Sequence, residues 1–339
     1  MNRLRVLFVI PGVARGNSMI FARRQAESLR RAGVNVAVFH LRSRTSLALV
    51  TREWVRFRRC LRRFAPHVVH AHFGTVTAMF AALAAPGVPL VITFRGGDLN
   101  PPSPQASVGE KLRAALGRML SQMAALRAAR MICVSGPLRA RLWWRRNRAV
   151  VLPSGVDPEM FAPEPRLRAR QRLGWKEADR VVLFNAGGDP LIKRLDLARQ
   201  AVEQAKLHVG GLRMQILDGS TPPAQMPALM NAADCLLLTS DAEGSPTVIQ
   251  EALACNLPVV SVDVGDTAER LRGVAASHIV ARHPEAIARA LAGILSPPTR
   301  SDGRRKMPEF SSNRIAAELQ RIYLGLARSP RLAMTEDPT

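Results

Sequence analysis

The sequence predicts an α/β protein of two doubly wound domains that face each other across a cleft. Three observations carry this. Short unbroken runs of Val, Ile and Leu alternate with helical stretches, the pattern of parallel strands covered on both faces. The alternation is interrupted by a Pro-rich passage, VVLPSGVDPEMFAPEPRLRARQRLGW (150–175), and then restarts. At 339 residues the chain is long for one core and comfortable for two domains of ~150–170 residues each.

Taken in order, RVLFVI (5–10) reads as a strand, PGVARGNS as a loop, MIFARRQAESLRRAG as a helix and NVAVFHL (35–41) as the next strand. A basic helix follows, then strand HVVHAHF, a helix, strand VPLVITF, a helix rich in Ala, Leu and Arg over about 108–129, and strand RMICVS. After the passage come strand VVLFNAG (181–187), helix LDLARQAVEQA, strand RMQILDG, a helix, strand DCLLLTS (234–240), helix VIQEALA, strand PVVSVDVG and helix TAERLRGV. The uncharged run from Phe73 to Phe94 is broken by Pro86-Gly87-Val88-Pro89, so it reads as a helix and a buried strand rather than a membrane span.

Charge is unevenly placed. Residues 1–150 hold 26 Lys and Arg against 4 Asp and Glu, whereas residues 151–339 hold 23 against 22. In TREWVRFRRCLRRF, Trp54, Phe57, Leu61 and Phe64 recur at helical spacing among six arginines. Such a helix can lie on anionic lipid or pack its stripe on its own domain. Nucleic acid is not expected as a partner, because aromatic platforms are few and no reader motif is present. Cys60, Cys133, Cys235 and Cys255 form no paired framework, and the first apolar run, Val6 to Ile10, is short for a signal peptide. A cytoplasmic protein, peripheral on the inner face of a membrane through its basic first domain, is the expectation.

The most informative segment is TSDAEGSPTVIQEALACNLPVVSVDVG. Glu243 stands at the turn after a strand, and Glu251 lies on the helix that follows, slightly more than two turns on. Free N–H groups around Gly244, Ser245, Pro246 and Thr247 suit phosphate oxygens and the two carboxylates suit hydroxyls, which together fit a sugar nucleotide. Lys193, between a strand and a helix, can place a point charge on a diphosphate leaving group. Arg95-Gly96-Gly97-Asp98 ends a first-domain strand, where α/β sheets bind ligands. Arg95 can bind an oxyanion but cannot serve as a base, and Asp98 either accepts from a substrate hydroxyl or caps its own loop. Gly12 and Gly16 lie in the loop after the first strand, where backbone approaches a ligand or simply turns. His70 and His72 share one face of a strand and read as core histidines before ligands.

The segment around Glu243 and Glu251, with Ala254-x-x-x-Pro258-Val-Val after it, resembles the E-x7-E signature of retaining glycosyltransferases, specifically glycosyltransferase family 4. Pro153-Ser154-Gly155-Val156-Asp157-x-x-x-Phe161 is similar to that family's linker, with Ser154 for Asn. The family's G-R-x-x-x-x-K-G is matched at Lys193, with Gly188 at the arginine position and Arg194 at the last glycine. Its T-F-H-G-x-D is matched with Arg95 for histidine. The resemblance implies the GT-B architecture of two Rossmann-like domains, 1–155 and 156–311, with the last helix (about 312–328) crossing back onto the first. It implies retaining, metal-independent transfer from a UDP- or GDP-linked sugar, without a further cofactor, to a lipid-linked or envelope glycan acceptor. Glu243, Lys193, Arg95 and Asp98 would be catalytic. Glu251, Gly244, Ser245, Pro246, Thr247, Gly188 and Arg194 would bind donor, with Glu251 on the ribose, and Gly12 and Gly16 would form the acceptor and phosphate loop. A sugar-nucleotide epimerase on the same fold and a non-catalytic basic adaptor are the alternatives. The family's extra helix and strand are reduced here to GSTPPAQMPALMNAA between Asp218 and Asp234.

Overall fold

The computed structural model describes residues 3–13, 19–42, 47–103 and 106–328. Two all-parallel sheets form. The first contains β1 (Arg5–Pro11), β2 (Asn35–Leu41), β3 (Val68–His72), β4 (Leu90–Phe94), β5 (Arg130–Cys133) and β6 (Ala149–Val151), in the order β2-β1-β3-β4-β5-β6. The second contains β7 (Arg180–Asn185), β8 (Leu212–Leu217), β9 (Cys235–Leu238), β10 (Val259–Val262) and β11 (His278–Val280), in the order β11-β10-β9-β7-β8. In both sheets the winding reverses beside the first strand, between β1 and β3 and between β7 and β9, which opens a crevice at the carboxyl ends of the strands. Among the described residues no strand lies between Leu217 and Cys235, where only a short turn and helix Met226–Ala232 stand.

Both faces of each sheet are buried, which is why the strands are apolar without alternation: Val6, Leu7, Phe8 and Val9 are wholly inaccessible. One face of the first sheet is completed from the other end of the chain. Helix Ser312–Arg328 sends Ile315, Ala316, Leu319 and Tyr323 into the same core as Val6, Phe8 and Leu29. The stripe of helix Leu47–Phe64 is likewise used in packing. Phe57 is fully buried with its ring 4.9 Å from Phe39 and 5.3 Å from Phe80, and the Arg56 guanidinium lies 4.3 Å from the centre of the Phe39 ring. The Pro-rich passage holds a helix, Arg166–Leu173, that docks on the second domain through Arg170. Its buried guanidinium donates to Asp234 Oδ2 at 2.7 Å and to the carbonyls of Ala232, Glu177 and Asp179, so the charge is paired and its donors are used.

The two domains meet backbone on backbone. A Cβ on Gly244 would sit 2.0 Å from the Arg95 carbonyl oxygen, and one on Gly96 would sit 3.0 Å from the Gly244 nitrogen. Gly96 also has φ +141, a conformation that L side chains rarely adopt. Asn100 Nδ2 donates to the Glu243 carbonyl across the same seam at 2.9 Å.

Gly244→Ala should cost about 1–3 kcal/mol and prise the seam apart, lowering Tm and raising the radius of gyration in small-angle scattering; an unchanged radius and Tm would show that the seam is not tight. A second expectation concerns acid. His70 and His72 are buried and held well below the usual histidine range, mainly by burial. Both are neutral in the fold while the unfolded chain takes protons below pH ~6.5, so stability is full above that pH and falls below it. The slope is at most ~1.4 kcal/mol per pH unit for each histidine. Urea titrations from pH 8 to 5 should show it, and the His70→Gln/His72→Gln double variant should flatten it; equal slopes would place the acid sensitivity elsewhere.

Candidate active site

The ends of β4, β7 and β9 converge in the crevice. After β9 the chain turns through Ser240 to Gly244 and enters helix Thr247–Ala254, whose N-terminus carries no side-chain cap and leaves its first N–H groups for a ligand. Glu243 accepts from Lys193 Nζ at 2.5 Å and from Ser240 Oγ at 2.8 Å, both on Oε1. Its Oε2 makes no hydrogen bond among the described residues. Lys193 stands where the chain enters helix Leu195–Lys206 in the second domain, with its ammonium on Glu243.

Arg95, at the end of β4, enters the crevice from the first domain. Its guanidinium donates to Ser154 Oγ at 2.8 Å and His72 Nδ1 at 2.9 Å, and stacks on Phe21 with 4.0 Å from Cζ to the ring centre. Burial pushes it down to about 9, so it keeps its charge at neutral pH. A guanidinium only donates, which makes His72 Nδ1 the acceptor and fixes the neutral tautomer with its proton on Nε2. Asp98 is wholly buried and accepts from the backbone N–H groups of Gly74 (2.8 Å), Arg95 (3.0 Å) and Gly96 (2.9 Å). Burial raises its pKa and these amides oppose the rise. Of its two expected roles the structure displays the loop cap.

Two cavities open on these groups. One, of about 170 Å³, is walled by Phe21, Ser154, Asn185 and the Gly244–Thr247 turn. The other, of about 460 Å³, is walled by Asn100, Pro101, Pro102, Ser103, Ala106 and Glu110 of the first domain and by Leu191 and Ile192 of the second. Arg95, Lys193, Glu243 and Gly244 line both. A small chamber beside a helix N-terminus and a larger one facing the first domain thus share a wall of two cations and a carboxylate.

The remaining expected residues fall into different places. Ser245 spends its hydroxyl on Asp266 Oδ2 at 2.8 Å, leaving its backbone to the cavity. Pro246 and Thr247 line the smaller chamber. Arg194 is committed to Asp196 and Asp241, which stabilise its charge, and it lines neither chamber because its φ of 55 starts the helix with the side chain toward those acids. Gly188 is exposed, and a Cβ there would meet nothing within 4 Å. Glu251 is buried and paired across the domains with Arg24 at 3.0 Å; burial raises its pKa and Arg24 holds the rise in check. Gly12 donates to the Leu41 carbonyl at 2.9 Å, extending the β1–β2 pairing, and Gly16 lies outside the described residues. Sequence reasoning gave no site role to Arg24, Ser154, Asn100 or Ser240. The Arg24 partner lies 227 positions away along the chain, and only Ser240, three residues before Glu243, carried a local signal. Among the described residues no group of three His, Cys, Asp or Glu side chains is placed to hold a metal ion.

The chain matches two family models, Glycosyltransferase Family 4 over residues 13–160 and Glycosyl transferases group 1 over residues 165–297. The putative teichuronic acid biosynthesis glycosyltransferase TuaC of Bacillus subtilis is 27% identical over 219 residues, 59% of this chain and 54% of that protein. The chain spans about half the length of the curated relatives it matches. Among solved structures, sucrose-phosphate synthase from Thermosynechococcus elongatus has a TM-score of 0.77 at 16% identity, covering 96% of this chain and 99% of that one. Anabaena Alr3699/HepE in complex with UDP and glucose has a TM-score of 0.73 at 16% identity, covering 95% and 100%. These two likenesses speak for the fold alone. With the paired parallel sheets and the family matches on both halves, the chain is a GT-B protein like those of glycosyltransferase family 4.

Proposed function

We propose that this chain transfers a sugar from a UDP- or GDP-linked donor to a lipid-linked or envelope glycan acceptor, with retention at the anomeric carbon. The observation that carries this reading is the shared wall of the two chambers: Arg95, Lys193 and Glu243 stand where a donor in the smaller chamber would meet an acceptor in the larger one. The uncapped start of helix Thr247–Ala254 and Lys193 take the diphosphate, and Glu243 takes donor hydroxyls through its unengaged Oε2. Lys193 releases Glu243 as phosphate oxygens replace the carboxylate, so its charge is delivered where negative charge builds as the glycosidic bond breaks. Glu251 exchanges Arg24 for the ribose. Arg95, fixed by His72, Ser154 and Phe21, adds a second cation beside the reacting bond. The departing phosphate takes the acceptor proton, and the protein supplies position and field.

An epimerase would need histidine and carboxylate groups facing each other across the cleft. His70 is bonded to Tyr323 and Thr93, His72 to Arg95, and Asp98 to three backbone amides. The acceptor assignment draws on the basic first domain, which suits work at an anionic inner membrane face.

Glu243→Ala and Lys193→Ala should each lower kcat by ~10²–10³ while circular dichroism and Tm stay near wild type, since both side chains leave turns rather than core strands. Wild-type turnover should persist in excess chelator, because Lys193 and the helix N-terminus neutralise the diphosphate. Near-normal rates in either folded variant on the true donor would reject the site. Activity lost to chelator and restored by Mg²⁺ or Mn²⁺ would reject the metal-free mechanism.

A further inference from the structure

One long surface helix turns its apolar side to solvent. Along Val108–Arg127, the residues Val108, Leu112, Leu116, Met119, Met123 and Leu126 recur every three or four positions and so share one face. All are exposed, from 84% for Val108 and 71% for Leu112 to 44% for Met119. The opposite face, with Ala124 and Ala125, packs into the first-domain core. Trp143 extends the outward face. Its backbone N–H donates to Gln122 Oε1 at 3.0 Å and its neighbour Trp144 donates from Nε1 to the Gln122 carbonyl at 2.9 Å, which fixes the loop beside the helix while the Trp143 side belongs to a residue 60% exposed. A contiguous apolar surface of this extent marks an interaction site.

Charge selects the occupant. Residues 106–148 contain ten Lys and Arg and one acid, Glu110, and Glu110 is held in a capping box with Ser107. A second copy of the chain would bring the same basic surface against itself with no free carboxylate to meet it. An anionic bilayer offers phosphates to the arginines, acyl boundary to Leu and Met, and an interfacial layer that suits Trp. Among the described residues no helix is long and apolar enough to cross a membrane. The first turns of the same helix, at Glu110 and Ala114, wall the larger chamber that reaches Lys193 and Glu243.

We propose that the outward face of helix Val108–Arg127, with Trp143, seats on an anionic bilayer. The proposal rests on the membrane-facing acceptor reading above and gives it a surface. That surface is not the stripe of helix Leu47–Phe64, whose Phe57 is spent in the core.

The test is co-sedimentation of the full chain with vesicles of phosphatidylglycerol and phosphatidylcholine, against phosphatidylcholine alone. The variant carries Leu112→Ser, Leu116→Ser, Met123→Ser and Trp143→Ser, which leave the charge unchanged. Wild type should bind the anionic vesicles, and the variant should bind at least about tenfold more weakly, with Tm and UDP or GDP affinity retained. Should the quadruple variant melt early, Leu116→Ser/Trp143→Ser carries the same comparison. Equal vesicle binding by wild type and variant, or a wild-type dimer that the substitutions dissociate, overturns the docking face. Apolar-dependent vesicle binding without transfer to any lipid-linked acceptor supports the docking face and counts against the acceptor reading instead.

Discussion

The cleft depends on the backbone contact between the Arg95–Gly97 loop and Gly244. No side chain separates the two domains there, because a Cβ on Gly244 would overlap the Arg95 carbonyl. The loop can present that carbonyl only because Asp98, buried beneath it, gathers the N–H groups of Gly74, Arg95 and Gly96. One carboxylate therefore fixes a turn, the turn fixes the domain seam, and the seam brings the end of β4 against the end of β9. Arg95 and Glu243 stand beside the same two chambers as a consequence.

Electrostatics in the cleft follow from that closeness. Each acid of the Glu243/Glu251 pair is neutralised by a cation, Glu243 by Lys193 within the second domain and Glu251 by Arg24 from the first. Partly buried carboxylates left without partners would carry a desolvation cost of several kcal/mol. On the proposed reading, a diphosphate would take Lys193 from Glu243 and ribose hydroxyls would take Glu251 from Arg24, so donor binding would exchange the partners of both acids. Arg95 stands outside this exchange, held in place by Ser154, His72 and the Phe21 ring. It contributes a fixed field.

The strands, the helix order and the Glu243 turn were legible in the sequence because their signals are local: unbroken apolar runs, a turn chemistry, one helical repeat. Edge strands β6 and β11, three residues each, gave no such run. The pairing of the site was not legible. Arg24 and Glu251, Arg95 and His72, and Arg170 and Asp234 are joined by topology across long stretches of chain, and nothing at either position announces the other. Arg194 misleads for a related reason. Its place in the phosphate motif is read from its neighbours along the chain, whereas its side chain follows a left-handed backbone toward Asp196 and Asp241. The stripe of helix Leu47–Phe64 and that of Val108–Arg127 look alike as periodicities, and only packing tells which one the core consumes.

The central claim is that donor binding exchanges the cations of the two glutamates, and a crystal structure of the chain with UDP or GDP in the smaller chamber tests it most directly. The account predicts Lys193 Nζ on a phosphate oxygen rather than on Glu243, and Glu251 on the ribose rather than on Arg24, with the Arg95–Gly244 seam intact. A nucleotide bound with both ion pairs still closed, or bound away from helix Thr247–Ala254, would contradict it.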